Sequence, residues 1–232
     1  MLILVHFNWT QLIPQVGHHY IHVATFAATS GLILVLGLVA RAQLGSGEKA
    51  ITPAAKLSVR AFFETITEFI VNLTVMVVGE KGKKFAPMFA TIFSIILLNN
   101  LVGLLPGMTP ATDNMNTTMA LGFLTFIIYN YSGFKEHGIS YLKQFLGPLL
   151  ALAPLMLLIE IISHLVRPLS LGLRLQGNMM GDHTVLGIFL DLVPYVLPVI
   201  FYALGMFVCF MQAFVFTMLS MIYVSMAISH DH

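Results

Sequence analysis

Long apolar runs separated by short polar connections dominate the chain, and their lengths predict its elements. The first run, about Tyr20 to Ala40, has roughly the 20 residues that a ~30 Å hydrocarbon core needs, and Arg41 ends it. Thr52 and Pro53 then read as an N-cap and first helical residue. Lys56, Arg60, Glu64, Glu68 and Asn72 recur at i+4, opposite Leu57, Phe62, Ile66, Phe69, Leu73 and Val77. This predicts an amphipathic helix lying along a membrane surface, with its last two turns apolar enough to dip inward. A second span, about Pro87 to Leu105, follows Lys81, Lys83 and Lys84 and stops at the turn-rich PGMTPATDNMN. A third, about Thr117 to Tyr131, is short for a full crossing. Two unusually long apolar segments close the chain, about Pro148 to Gly181 and Leu192 to Ile228, separated by a predicted loop with Asp182, His183 and Asp191.

The last segment has 37 residues without a charge. As one helix it would measure about 55 Å against a core of about 30 Å. Its only breakers are Pro194 and Pro198 near the start and Gly205 somewhat later, so two crossings lack a polar turn between them. The pattern predicts two steeply tilted helices forming a hairpin, beyond the usual ~20° tilt.

Within the earlier of these helices, Glu160, Arg167 and Arg174 are spaced by seven, so they share a face, with Ser163, Ser170 and Asn178 on or beside it. An arginine at a bilayer centre costs about 2.5–3.5 kcal/mol on insertion scales and must face protein, water or a counter-charge. Glu160 has His164 at i+4, but Arg174 has no carboxylate at i±3 or i±4, and the final segment offers none. A partner subunit with a membrane carboxylate is therefore a physical expectation.

Composition agrees with a membrane protein: 58% of residues are hydrophobic and 9% charged, with a mean hydropathy of +0.90. The net charge of +1 says nothing about partners, but its distribution does. Of the eleven Lys and Arg residues, Arg167 and Arg174 are intramembrane; the other nine fall on one side if the 52–80 helix stays at the cytoplasmic face. Five crossings then put the N-terminus outside and the C-terminus in the cytoplasm. The start of the chain lacks a basic leader with a cleavage site, which points to a retained first span and a bacterial cell (inner) membrane. The single cysteine, Cys209, excludes an intrachain disulfide and a cysteine metal cluster. EIISH is not HExxH, no P-loop occurs, and the HHYIH cluster of His18, His19 and His22 reads as an interfacial segment rather than a metal site. No nucleic-acid surface, cofactor or metal is implied. On the residues alone, a small secondary transporter or ion channel and a non-conducting membrane scaffold both stay open.

LSLGLRLQGNMM, with the later MQAFVFTMLSMIYVSMA, closely resembles subunit a of F-type ATP synthases of bacterial type. The resemblance extends to the opening HFNW and the NNLVGLLPG turn, and so spans essentially the whole chain. It implies a non-catalytic stator subunit of the membrane Fo sector, CF(0), forming two aqueous half-channels that deliver protons to and from the carboxylates of a rotating c-ring. Implied partners are the c-ring, the b subunits of the peripheral stalk and the other ATP synthase subunits. Matched position by position, Arg174 corresponds to the essential arginine, Asn178 to the asparagine one turn on, and Gln212 to the glutamine of the final helix. Glu160, Ser163 and Ser170 correspond to polar positions of the cytoplasmic half-channel. His183 falls where members carry histidine or glutamate, and Gly205 where glutamate-bearing relatives have histidine. One departure is NMMGDH in place of a pattern like NMxAGH, which sets Asp182 beside the implied proton entry; Asp113, Asn114 and Asn116 belong to the loop expected near the outer vestibule.

The expected organisation is a single membrane domain, 1–232: an N-terminal segment with the first span (1–51), the amphipathic surface helix (52–80), a helical hairpin with its cytoplasmic connector (83–147), and the tilted hairpin carrying the proton path and packing on the ring (148–232).

Overall fold

A computed structural model describes residues 20–44, 58–105, 107–138, 141, 153–192 and 197–228. The described residues form six α-helices and no strand: α1 Ile21–Leu44, α2 Val59–Val78, α3 Ala86–Gly103, α4 Met115–His137, α5 Ala153–Leu192 and α6 Leu197–Ile228. Short 3₁₀ turns at Glu80–Phe85 and Ala111–Asp113 precede α3 and α4. The all-α membrane class holds, and five helical stretches are long and apolar enough to cross a membrane.

The set of five differs from the sequence expectation: it includes α2, expected on the surface, and omits α4, expected to cross. Packing adds what length leaves out. Thr29 Oγ1 donates to Asn99 Oδ1 at 2.8 Å, which sets α1 and α3 antiparallel. At the start of α2, Arg60 N donates to Gln43 Oε1 at the end of α1 (3.3 Å). Just beyond its end, Lys84 and Lys81 reach Glu136 in the last turn of α4, at 3.3 and 3.8 Å. The start of α2 therefore lies beside the end of α1, and the turn that follows it lies beside the end of α4, while Phe69 in the middle of α2 packs on Phe93 of α3 and on Phe210 and Phe214 of α6. Gly79, at φ +84°, supplies the turn out of α2. The helix is capped by Ser58, whose Oγ accepts from Ala61 N at 3.2 Å; the expected cap at Thr52 and Pro53 lies outside the described residues, as do Lys143 and residues 230–232.

A second correction concerns the predicted loop at Asp182 and His183, which is helical, since α5 continues unbroken to Leu192. No proline lies between Gly181 and Leu192, Gly187 is tolerated within the helix, and both polar side chains find neighbours across the bundle instead. The breakers Pro194 and Pro198 come only afterwards. With 40 and 32 residues, α5 and α6 are about 60 and 48 Å long.

Pro168 lies inside α5, so the carbonyl of His164 loses its i+4 donor. Tyr129 of α4, fully buried, donates its hydroxyl to that carbonyl at 3.4 Å and also touches His164 Nε2 at 3.2 Å. Asn130 Nδ2 donates to Phe126 O at 2.8 Å, which turns Asn130 Oδ1 toward His164 Nε2, 2.9 Å away. These partners assign the imidazole proton to Nε2. The sequence reading paired His164 with Glu160 along the helix; the imidazole instead ties α5 to α4.

The same crossing is made close by two glycines. A Cβ on Gly122 would lie 2.6 Å from Pro168 O, and one on Gly172 would lie 3.0 Å from Thr118 O. Small residues at such a point let helix backbones approach where lipid gives no hydrophobic drive. The core is completed by Phe89, Phe93 and Ile96 of α3, Leu171, Leu175 and Met179 of α5, and Cys209, Ala213 and Phe216 of α6, all buried.

Candidate functional site

Alternation along α5 decides which groups reach the core and which do not. Leu171, Leu175 and Met179 point inward, so Arg174 and Asn178 are left on the exposed side. There they line a cleft of about 470 Å³ with Asp182, closed on the α6 side by Phe201, Leu204, Val208, Met211 and Gln212. Asn178 Nδ2 donates to Gln212 Oε1 at 2.6 Å, a bond that fixes the register of α5 against α6. Arg174 makes no ion pair with any described residue. The cleft thus combines a permanent cation, a linked amide pair and a carboxylate between otherwise apolar walls, an arrangement suited to receiving an anionic group.

Asp182 faces two ways. Its carboxylate packs where Gly205 has no side chain: a Cβ there would lie 2.9 Å from Asp182 Oδ2. Beside it, His183 Nδ1 is 4.0 Å from Asp113 Oδ2 of the turn before α4, and His183 Nε2 occupies the space a Cβ on Gly103 would need, at 2.7 Å. Asp113 Oδ1, Asp182 Oδ2 and His183 Nε2 are buried with no hydrogen-bond partner among the described residues. Buried polar atoms are almost always satisfied, so three unmatched ones together mark a place suited to water. Burial pushes the Asp113 carboxyl above its usual range, and the neighbouring His183 opposes the shift. Asn114, by contrast, caps α4, its Oδ1 accepting from Asn116 N at 2.9 Å.

Toward the opposite end of α5, Arg167 Nη2 lies 3.4 Å from Glu160 Oε1. Ser170 Oγ donates back to Arg167 O at 3.0 Å, and Ser163 is exposed. The structure brings Arg174, Asn178, Asp182 and Gln212 to one cleft, places His183 next to it with Asp113, and leaves Glu160, Ser163 and Ser170 along the helix. Sequence reasoning missed Tyr129 and Asn130. The available signal was Pro168, which guarantees a carbonyl at His164 in need of an outside donor.

The family described as ATP synthase A chain matches residues 22–225. The chain is 59% identical over 227 residues to the ATP synthase subunit a of Bdellovibrio bacteriovorus, covering 97% of this chain and 99% of that one. It is 44% identical over 201 residues to the subunit a of Trichlorobacter lovleyi, covering 87% and 84%. It is 46% identical over 171 residues to the ATP synthase subunit a 1 of Pelobacter propionicus, covering 74% and 75%. With a family match over most of its length, near-full-length relatives and several helices able to cross a bilayer, this chain is a multi-pass membrane protein that belongs to the ATP synthase subunit a family.

Proposed function

We propose that the chain is the non-catalytic membrane stator of the Fo sector and passes protons between two half-channels through c-ring carboxylates. The observation that carries this reading is Arg174: a cation on the open side of α5, in a cleft with Asn178, Gln212 and Asp182, that makes no ion pair with any described residue. A ring carboxylate entering that cleft would supply the missing counter-charge. Arginine stays protonated at any working pH, so it attracts the deprotonated carboxylate and blocks a direct proton path between the channels.

On the outer side, Asp182, His183 and Asp113 supply unmatched buried groups for proton entry. Glu160, partly exposed at the other end of α5, serves proton release toward the cytoplasm, with Ser163 and Ser170 on the same path. The offset of the two paths along one helix converts work of about 2.3 kcal/mol per charge per 100 mV into rotation. Tilting α5 and α6 would bring their excess length within the bilayer and follow a curved ring; the b subunits would hold the stator in place. The N-terminus lies outside and the C-terminus in the cytoplasm of a bacterial cell on this reading.

The test is Arg174→Ala in the assembled complex. Coupled ATP synthesis should be lost while the chain remains in the membrane; strong ATP-driven proton pumping by this variant overturns the proposal.

A further inference from the structure

Arg167 is the second cation of α5, and the release path has no role for it as yet. Its guanidinium carbon sits 5.8 Å from the centre of the Tyr223 ring of α6, a cation–π distance. Its side chain is 22% exposed, against 42% for Glu160. The arginine is thus held by packing on α6, and the glutamate is the more exposed partner of the pair. The other titratable groups around it are His164 on α5, Tyr129 on α4, Tyr141 beyond α4 and Tyr223 on α6, and Tyr141 also feels Glu160. None is an acid of ordinary carboxylate strength, so Glu160 is the anion within this set that balances Arg167.

From this geometry we propose that Arg167 is a positioning residue for proton release: anchored on Tyr223, it orients the Glu160 carboxylate and favours its ionised form. The inference rests on the reading of Glu160 as the cytoplasmic-side exchanger. A carboxylate leaving water for an apolar surface is driven toward its neutral form, and a fixed cation within about 4–6 Å reverses that preference. A proton handed to Glu160 then dissociates to water on the cytoplasmic side, restoring the carboxylate opposite Arg167. Without the arginine, Glu160 holds the proton longer and release becomes limiting at a higher pH. Pairing also keeps Arg167 occupied, so that Arg174, seven residues on, is the free cation offered to the ring.

The experiment measures potential-driven proton conduction through Fo in inverted membrane vesicles stripped of F1, with the outer medium, which bathes the former cytoplasmic face, varied from acid to alkaline. Immunoblots check that each variant is present at parental levels. Arg167→Gln should move the acid limb of the conduction profile up by about one pH unit, a tenfold change in proton concentration, and Arg167→Lys should leave it close to the parental position. In a Glu160→Gln background, Arg167→Gln should produce no shift. A uniform fall in conduction without displacement of the limb, rescued or not by lysine, would reduce Arg167 to a packing residue and overturn the inference. Parental conduction by Glu160→Gln at every pH would instead remove Glu160 from the release path, a distinct result that refutes the reading beneath it.

Discussion

Gly122→Ala tests the close crossing of α4 and α5. The new Cβ would lie 2.6 Å from Pro168 O, whereas even a weak C–H···O contact needs about 3.3–3.6 Å, so the helices must separate by roughly 0.7 Å or more. The obstructing atom is backbone and cannot rotate away. Separation would also lengthen the Tyr129 hydroxyl contacts with His164, already 3.2 and 3.4 Å. Overpacking of this kind costs about 1–3 kcal/mol, offset by up to about 1 kcal/mol because alanine is the better helix former. Gly37→Ala in α1 is the control: nothing lies within 4 Å of its Cβ, so only the helix-forming gain applies. The assay heats the detergent-solubilised complex and follows the fraction of this chain retained in it. Gly122→Ala should release the chain at a lower temperature than the parent, and Gly37→Ala at the same or a higher one. Equal behaviour of the two variants would refute the argument.

Tyr129→Phe removes the hydroxyl that bonds the His164 carbonyl and touches its Nε2 and should cost about 0.5–1.5 kcal/mol, the net worth of a typical hydrogen bond; the same heating assay reads it, and an unchanged release temperature would refute that role. Gly205→Ala should behave differently from Gly122→Ala, because its Cβ meets Leu104 Cδ2 and Asp182 Oδ2, both ends of rotatable side chains, at 2.8 and 2.9 Å. Its stability should change by less than about 1 kcal/mol, while proton conduction falls several-fold as the Asp182 carboxylate is displaced; parental conduction would separate Asp182 from the path.

Local pattern carried the site further than it carried the fold. Arg174 and Asn178 follow at i+4 along one helix, so their common face is readable from the residues alone, and the resemblance added Gln212 across the hairpin. The His164 partner was not readable, because Asn130 and Tyr129 lie more than thirty positions away, and a neighbouring glutamate at i+4 offered a simpler choice. Asp182 and His183 looked like a loop because polar residues usually end apolar runs. Here they continue the helix, since Gly205 and Gly103 on facing helices leave room for them. For α2, the i+4 polar face suggested a surface helix, whereas its apolarity and length also suit a crossing; the contact of its start with Gln43, and that of the following turn with Glu136, were not readable from the sequence.

The two arginines of α5 illustrate how one helix can hold a solved and an unsolved charge. Each bears an insertion cost of about 2.5–3.5 kcal/mol near the bilayer centre. For Arg167 the chain offsets that cost internally, with Glu160 at 3.4 Å and the Tyr223 ring behind it. For Arg174 it supplies a cleft whose amides, Asn178 and Gln212, are bonded to each other and whose one carboxylate, Asp182, makes no ion pair with it. A cation on the open face, with no ion pair among the described residues, favours whatever brings a carboxylate to it. On the proposed function that bias must stay modest, since a ring carboxylate held too tightly would stop the rotor. The amide pair serves this end by fixing the spacing of α5 and α6 without itself adding a charge to the cleft.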